Sequence, residues 1–397
     1  MFERALAGEL RAVSRRMPVV TLTGPRQSGK TTLIRQTFPR HTYVSLERPD
    51  ERARAQDDPI GFLSRFHGGV ILDEIQRVPD LLSYVQTAVD ENDRPGRFIL
   101  TGSQNLLLME RVSQSLAGRT AVLRLLPLTV AELTGRRPVN PSRLDRMPRR
   151  LDAPDLELWS TVWSGFYPRI HDRKLPPDRW LGDYFRTYVE RDLRDVLRVL
   201  DLNTFERFVR LVAARTGQEL NVTALAEDAG IAQPTAQAWF DALRIGFIVT
   251  TLPPHHANFR KRLRKRPRLH FLDTGLACYL LGIHSAHTLA THPLRGAIFE
   301  SFVVGEIIKG FENTGREAPC FFWRDATGHE LDVILDLGDR LLPIEVKSGL
   351  TVSPDAVNGL RWWTELPANR NKRGVLVHAG TSAYSLHGFT VLPWFLG

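Results

Sequence analysis

Apolar positions fall into distinct spacings along the chain, and each spacing predicts a different element. Short, largely apolar runs at 17–23, 69–72 and 97–101 predict strands buried on both faces, as in a parallel sheet. Strand-like stretches at 41–46 and 122–125 extend the set. A polar, helix-prone stretch covers 49–66, and Leu81, Leu82, Val85, Ala88 and Val89 recur at helical spacing, so that helix packs on the sheet. From Pro127 to Pro154 proline, arginine and leucine mix without period, which places a boundary there. Residues 155–215 are almost wholly helix-prone, with Trp159, Val162 and Phe166 followed by Trp180, Leu181, Tyr184 and Phe185. The stretch 220–243 then reads as two helices turning at Gly230, with Leu225, Ala226, Ile231, Ala238 and Leu243 inside, and strand-like runs follow at 246–250 and 268–271. Last come an amphipathic helix at 299–309 and strands at 320–324, 330–335 and 342–348.

The first strand breaks into Gly24, Pro25, Arg26, Gln27, Ser28, Gly29, Lys30, Thr31 and Thr32 and resumes as a helix. This is the pattern of a phosphate-binding loop. Gly24 and Gly29 let the backbone curl so that its N–H groups point at an anion, and the helix adds its positive dipole end. Lys30 reaches the β- and γ-phosphates of ATP and the Thr31 hydroxyl is placed to ligate Mg²⁺. The run at 69–72 ends in Asp73 and Glu74, at the carboxyl end of its strand, where open α/β sheets bind ligands. Asp73 is expected to hold Mg²⁺, directly or through water, and Glu74 to polarise the water that attacks the γ-phosphate. After the next strand, Ser103, Gln104 or Asn105 is placed to sense that phosphate. An extra strand between the two motifs and a polar sensor after the next one is the layout of AAA-type ATPases, as opposed to small GTPases or kinases. Arg119 is a candidate arginine finger acting on a neighbour's nucleotide, which implies a homo-oligomer and allows a ring.

Length and charge refine this picture. At 397 residues the chain has room for two or three domains. Cys278 and Cys320 lie far apart, without His or Cys neighbours at metal-ligand spacing, so a reducing cytoplasm is the expected compartment. No run of about 18 apolar residues occurs, and no membrane partner is expected. The net charge of +9 is concentrated: Arg260, Lys261, Arg262, Arg264, Lys265, Arg266 and Arg268 put seven positive charges and no acid into nine residues. A second cluster, between 136 and 150, holds six arginines against Asp145. Localised charge of this kind predicts a polyanion partner, DNA, although both stretches could be solvated loops. Two strands bracketing a basic loop after a helix pair describe a winged helix, a module that also serves protein contacts.

In the C-terminal strands Glu345 and Lys347 stand two apart and share a face, with Asp332 opposite and Glu300 on the preceding helix. This set resembles the Asp…Glu-x-Lys site of restriction-endonuclease-like folds, where carboxylates hold Mg²⁺ and the lysine orients the attacking water. An ordinary Glu345–Lys347 surface ion pair, or a fold retained as a DNA clamp, are the other readings.

The phosphate loop, Leu72-Asp73-Glu74-Ile75-Gln76 and Leu100-Thr101-Gly102-Ser103 resemble the bacterial and archaeal AAA-superfamily ATPases that carry a C-terminal domain of unknown function. The match continues through Tyr188-Val189-Glu190-Arg191-Asp192 and Phe271-Leu272-Asp273-Thr274-Gly275-Leu276, so it spans nearly the whole chain. Together with the patterns above it implies an α/β chain: a P-loop AAA-type parallel-sheet ATPase domain at 1–135, a helical connector at 136–204, a winged helix at 205–285 and a restriction-endonuclease-like α/β domain at 286–397. One departure is Ser164-Gly165-Phe166-Tyr167-Pro168-Arg169, where relatives show paired glycines before the aromatic and an acid after the proline. Three activities fit: an ATPase that grips or moves DNA, a nucleotide-gated DNA- or protein-binding switch of slow turnover, and an ATP-licensed metal-dependent nuclease.

Overall fold

The computed structural model describes residues 2–102, 115–148, 151–190, 201–255, 266–325, 327–366, 369 and 371–396. It opens with helix α1 (Ala7–Ser14), strand β1 (Val19–Thr23), helix α2 (Lys30–Thr37) and strand β2 (Thr42–Ser45). The helix-prone stretch that follows is split into α3 (Pro49–Asp57) and α4 (Pro59–Ser64). The split falls where Pro59 removes a backbone donor and the Asp58 side chain caps the second helix on Gly61 N–H. Strand β3 (Val70–Asp73), helix α5 (Leu81–Glu91), β4 (Phe98–Thr101) and β5 (Thr120–Arg124) complete the first sheet. Its order is β2-β3-β4-β1-β5, all pairs parallel. The strand that feeds the phosphate loop is therefore separated in space from the Asp73 strand by β4.

Strand parity explains why these runs carry apolar residues on both faces. Val19, Val44, Val70, Leu72, Phe98 and Leu100 face one hydrophobic cluster with α3, α4 and α5, and Val20, Leu22, Ile71, Ile99 and Leu123 face the other with α1 and α2. Each fully buried side chain of this kind contributes about 1.5–3 kcal/mol by leaving water.

Helices α6 (Val130–Thr134), α7 (Leu158–Ser164), α8 (Pro168–Arg173) and α9 (Pro177–Tyr184) follow, then α10 (Leu202–Ala214), α11 (Val222–Ala229) and α12 (Gln233–Ile245). Gly230, at φ 67, ends α11 in the left-handed region, and Asn221 caps its start on Ala224 N–H. The antiparallel pair β6 (Val249–Leu252) and β7 (Arg268–Phe271) packs beside them. The expected strand at 246–250 begins later because the chain leaves α12 through Phe247 at φ 58, with Ile248 N–H still bonded to Leu243 C=O.

After α13 (Thr274–Leu280), α14 (Ala286–Thr291) and the long α15 (Arg295–Glu312) comes a second sheet. It comprises β8 (Cys320–Arg324), β9 (Glu330–Asp336), β10 (Leu341–Lys347), β11 (Val375–His378), β12 (Tyr384–Leu386) and β13 (Phe389–Pro393), ordered β12-β13-β11-β10-β9-β8. β10, β11 and β13 run parallel, while β8, β9 and β10 pair antiparallel. α16 (Asn358–Glu365) covers one face and α15 the other. α15 is buried over most of its length because a single apolar cluster joins it to Leu126, Leu128, Val130, Leu144, Val162 and Phe166. The ring of Phe166 stacks on that of Phe302, with centroids 5.7 Å apart. Among the described residues no helix is long and apolar enough to cross a membrane.

Candidate functional site

The phosphate loop closes on the carboxyl edge of the first sheet. Gly24 lies at φ 143, and a Cβ there would stand 2.2 Å from Leu125 C=O, so this position admits glycine alone. Gly29, at φ 93, starts α2, and Lys30 turns back so that Nζ donates to Gly24 C=O and Pro25 C=O, both at 2.8 Å. Burial draws the Lys30 pKa down to about 8 against the opposing pull of Glu74 and Asp73. Thr31 Oγ1 donates to Asp73 at 3.2 Å. The same buried carboxylate accepts from Tyr43 Oη at 2.6 Å and from the Thr101 hydroxyl. Burial and this bond push the Tyr43 hydroxyl pKa up. Glu74 ends β3 in the left-handed region at φ 59, and its carboxylate accepts from Gln76 Nε2.

A cleft of about 440 Å³ opens over these groups, lined by Arg26, Gln27, Gly29, Lys30, Thr31 and Thr32 on one side and Glu47 and Glu74 on another. Its third wall is α8, with Arg169 and Arg173. From behind, Arg4 pins the loop: Nη1 donates to Ser28 C=O at 2.6 Å, Nη2 to Leu126 C=O at 2.7 Å and Nε to Glu132 at 3.0 Å. Sequence reasoning passed over Tyr43, Thr101, Arg4, Arg169 and Arg173. Ser103, Gln104 and Asn105 lie outside the described residues.

Thr31 and Asp73 offer Mg²⁺ a hard, all-oxygen donor set and so fit that ion. Arg119 stands at the opposite, amino edge of the sheet, where it forks onto Asp90 at 2.5 and 3.0 Å on an exposed surface. The length of β1, roughly 16 Å at ~3.3 Å per residue, separates it from its own chain's loop.

The second constellation lies where β7 meets the C-terminal sheet. Of the basic run, Arg260, Lys261, Arg262, Arg264 and Lys265 fall outside the described residues, and Arg266 is exposed. Arg268 overturns the expectation that it faces DNA: it is buried, 6% exposed. Its Nη1 donates to Glu300 at 3.1 Å and to Asp332 at 3.4 Å, and its Nη2 to Glu330 at 3.2 Å. The reason is that β7 is buried on both faces, and the face that Arg268 shares with His270 is covered by α15 and β9; His270 Nε2 lies 3.8 Å from Glu300.

Asp332, Glu345, Glu300 and Lys347 are brought together as expected. Asp332 accepts from Val346 N–H at 2.8 Å, and Lys347 Nζ stands 2.5 Å from Glu345. The pair is no ordinary surface contact, for the Glu345 side chain is only 9% exposed. Burial, reinforced by Asp332, pushes the pKa of both Glu300 and Glu345 up, whereas burial and then Arg268 push that of His270 down to about 3. These carboxylates do not fit a metal as they stand, since among the described residues no group of three or more His, Cys, Asp or Glu is disposed to hold one.

Residues 16–134 match the family model described as an AAA domain, 156–287 a domain of unknown function (DUF8612) and 295–396 a second one (DUF4143). Among solved structures, the Walker-type ATPase PABY2304 of Pyrococcus abyssi aligns with a TM-score of 0.38 at 15% identity, covering 69% of this chain and 94% of that one. RuvB of Thermotoga maritima aligns at 0.31 and 20%, covering 62% and 87%. The uncharacterized protein Rv2008c of Mycobacterium tuberculosis is 34% identical over 354 residues, 88% of this chain and 75% of the relative, and Mb2031c of Mycobacterium bovis matches equally. At that identity and coverage the chain belongs to the family of these mycobacterial proteins, and its first unit is an AAA-type P-loop domain.

Proposed function

We propose that this chain is a Mg²⁺-dependent ATPase that couples nucleotide turnover to binding or remodelling DNA. The observation that carries the ATPase reading is the junction of Lys30, Thr31, Asp73 and Glu74 at one cleft. The two bonds from Lys30 to loop carbonyls are exchanged for phosphate oxygens when ATP enters, which restores the ammonium's partners in a buried setting. Thr31 and Asp73 would hold Mg²⁺, which when bound neutralises phosphate charge. Glu74 orients and deprotonates the attacking water, and Arg169 and Arg173 face the nucleotide from α8. In the described state Glu74 is engaged by Gln76, and this favours a second reading, a switch of slow basal turnover. Saturating DNA separates the two, since a motor's rate rises strongly and a switch's does not.

The DNA contact is assigned to the unit at 205–285, read as a winged helix whose hairpin β6–β7 brackets the basic run. The divisions at 1–135, 136–204, 205–285 and 286–397 are kept as functional units, the last read as restriction-endonuclease-like from Asp332 on β9 facing Glu345 and Lys347 on β10. Lys30→Ala is expected to abolish ATP binding. Glu74→Gln retains ATP affinity while turnover falls about 10²- to 10⁴-fold. Hydrolysis at the parent rate in Glu74→Gln overturns the assignment.

A further inference from the structure

The C-terminal carboxylates hold a cation already, and it is an arginine from another unit. Glu300 on α15 and Glu330 and Asp332 on β9 converge on the Arg268 guanidinium at 3.1–3.4 Å, while the ring of Phe322 lies 5.0 Å from its Cζ. Guanidinium contacts of this length hold the oxygens wider than the ~2.0–2.6 Å shell of Mg²⁺ or Ca²⁺. The cluster is also incompletely satisfied. Among the described residues Glu345 Oε2, on a side chain nine-tenths buried beside Asp332, has no hydrogen-bond partner, and neither have Arg268 Nε and His270 Nε2. Full ionisation gives four carboxylates, Glu300, Glu330, Asp332 and Glu345, against the two cations Arg268 and Lys347. The cluster then carries an excess of negative charge, which a divalent cation in place of the guanidinium would offset further.

We infer that Arg268, at the base of the basic hairpin, is the resident cation of the Asp332–Glu345–Glu300 site and that it and a divalent metal occupy this site exclusively of each other. The inference rests on reading the C-terminal sheet as a nuclease-like metal domain. With Arg268 in place, the guanidinium and Lys347 offset two of the four carboxylate charges; without the guanidinium the excess negative charge and the Glu345 Oε2 atom are left for a metal.

The test is Mn²⁺ titration of the nucleotide-free full chain, following the spectrum of the free ion, with thermal unfolding of the same samples. The parent takes up no Mn²⁺ that depends on Glu345. Arg268→Gln takes it up with affinity higher by about tenfold or more, melts lower than the parent without metal, and recovers on adding Mn²⁺. Glu345→Gln added to Arg268→Gln removes both the uptake and the recovery. Arg268→Lys keeps a charge without the fork, falls between, and decides the matter if Arg268→Gln does not fold. Equal, Glu345-dependent uptake by the parent and Arg268→Gln overturns the exclusion and leaves the metal site standing. A folded Arg268 variant that takes no Mn²⁺ and shows no recovery overturns the metal reading itself, and Arg268 is then a structural counter-ion only.

Discussion

Arg4 offers the sharpest test of how the phosphate loop is held. Its side chain is 6% exposed, that of its partner Glu132 is 2% exposed, and its three donor contacts reach Glu132, Ser28 C=O and Leu126 C=O. Arg4→Met keeps much of the apolar stem, so the loss is electrostatic and not one of packing. It strands two buried carbonyls and a buried carboxylate that retains Ala5 N–H at 2.8 Å, Thr129 N–H at 2.9 Å and the Thr129 hydroxyl at 3.4 Å. Unmet buried groups cost about 1–3 kcal/mol each, and breaking a buried ion pair from one side about 3–5 kcal/mol. The two figures overlap because they count the same groups. We expect the first unit to lose about 3–5 kcal/mol, which speeds hydrogen exchange of the most protected α2 amides roughly 10²-fold or more, since ~1.4 kcal/mol is tenfold. Nucleotide affinity falls with it, because Ser28 C=O is no longer fixed. Arg4→Met/Glu132→Gln, which removes both charges and keeps an acceptor for Ala5 N–H, recovers part of the loss. Exchange within about threefold of the parent in Arg4→Met, or a double variant that simply adds two losses, would refute the reasoning.

Neutralising Arg262, Arg264 and Lys265 lowers DNA affinity for all sequences alike and reduces the slope of log affinity against log salt by at most ~2.7, at about 0.9 per phosphate contact. Arg268→Gln leaves that slope unchanged, since its guanidinium faces carboxylates; a drop there would place it on DNA after all. Arg119→Ala binds ATP but loses hydrolysis, and mixing parent with Lys30→Ala subunits departs from simple dilution. Activity strictly proportional to the parent fraction would count against a finger acting across subunits.

The parallel sheet was legible because a strand buried on both faces needs consecutive apolar residues, and Val70-Ile71-Leu72 and Phe98-Ile99-Leu100 supply them. The loop was legible because its glycines are required by backbone geometry, as Gly24 against Leu125 shows. Tyr43, Arg4 and Arg169 were not legible, since each acts across a contact that exists only once distant segments have packed, and one polar residue on an amphipathic element carries no signal of its own. Arg268 is the instructive error. Membership in a run of like charges suggested solvent, and so did parity, since Arg268 and His270 share the polar face of Arg268-Leu269-His270-Phe271; yet β7 is buried on both faces, because α15 brings Glu300 and Ser301 onto the polar one. A period of two carries no signal for a second layer packed on a polar face.

One helix ties the two sites together. α15 carries Glu300 in its first half, and further on it carries Glu306 and Lys309, roughly 9 and 14 Å from Glu300 at ~1.5 Å per residue. Glu306 accepts from Val130 N–H at 2.9 Å, while Lys309 donates to Leu128 C=O at 2.7 Å and pairs with Glu306 at 2.5 Å over the ring of Phe166. The same segment is gripped from its other side by Arg4, through Leu126 C=O and Glu132, and Arg4 reaches the phosphate loop. A shift of the loop on binding nucleotide therefore reaches 126–132 and, through buried charge-assisted bonds to Glu306 and Lys309, α15. We expect a non-hydrolysable ATP analogue with Mg²⁺ to change hydrogen exchange in α15, β9 and β10 as well as around the loop. Lys309→Met confines the change to residues 16–134. Because coupling free energy is reciprocal, whatever occupies the carboxylate site must alter nucleotide affinity by the same factor. Protection limited to the first unit in the parent chain would show that the two sites share a helix without sharing a state.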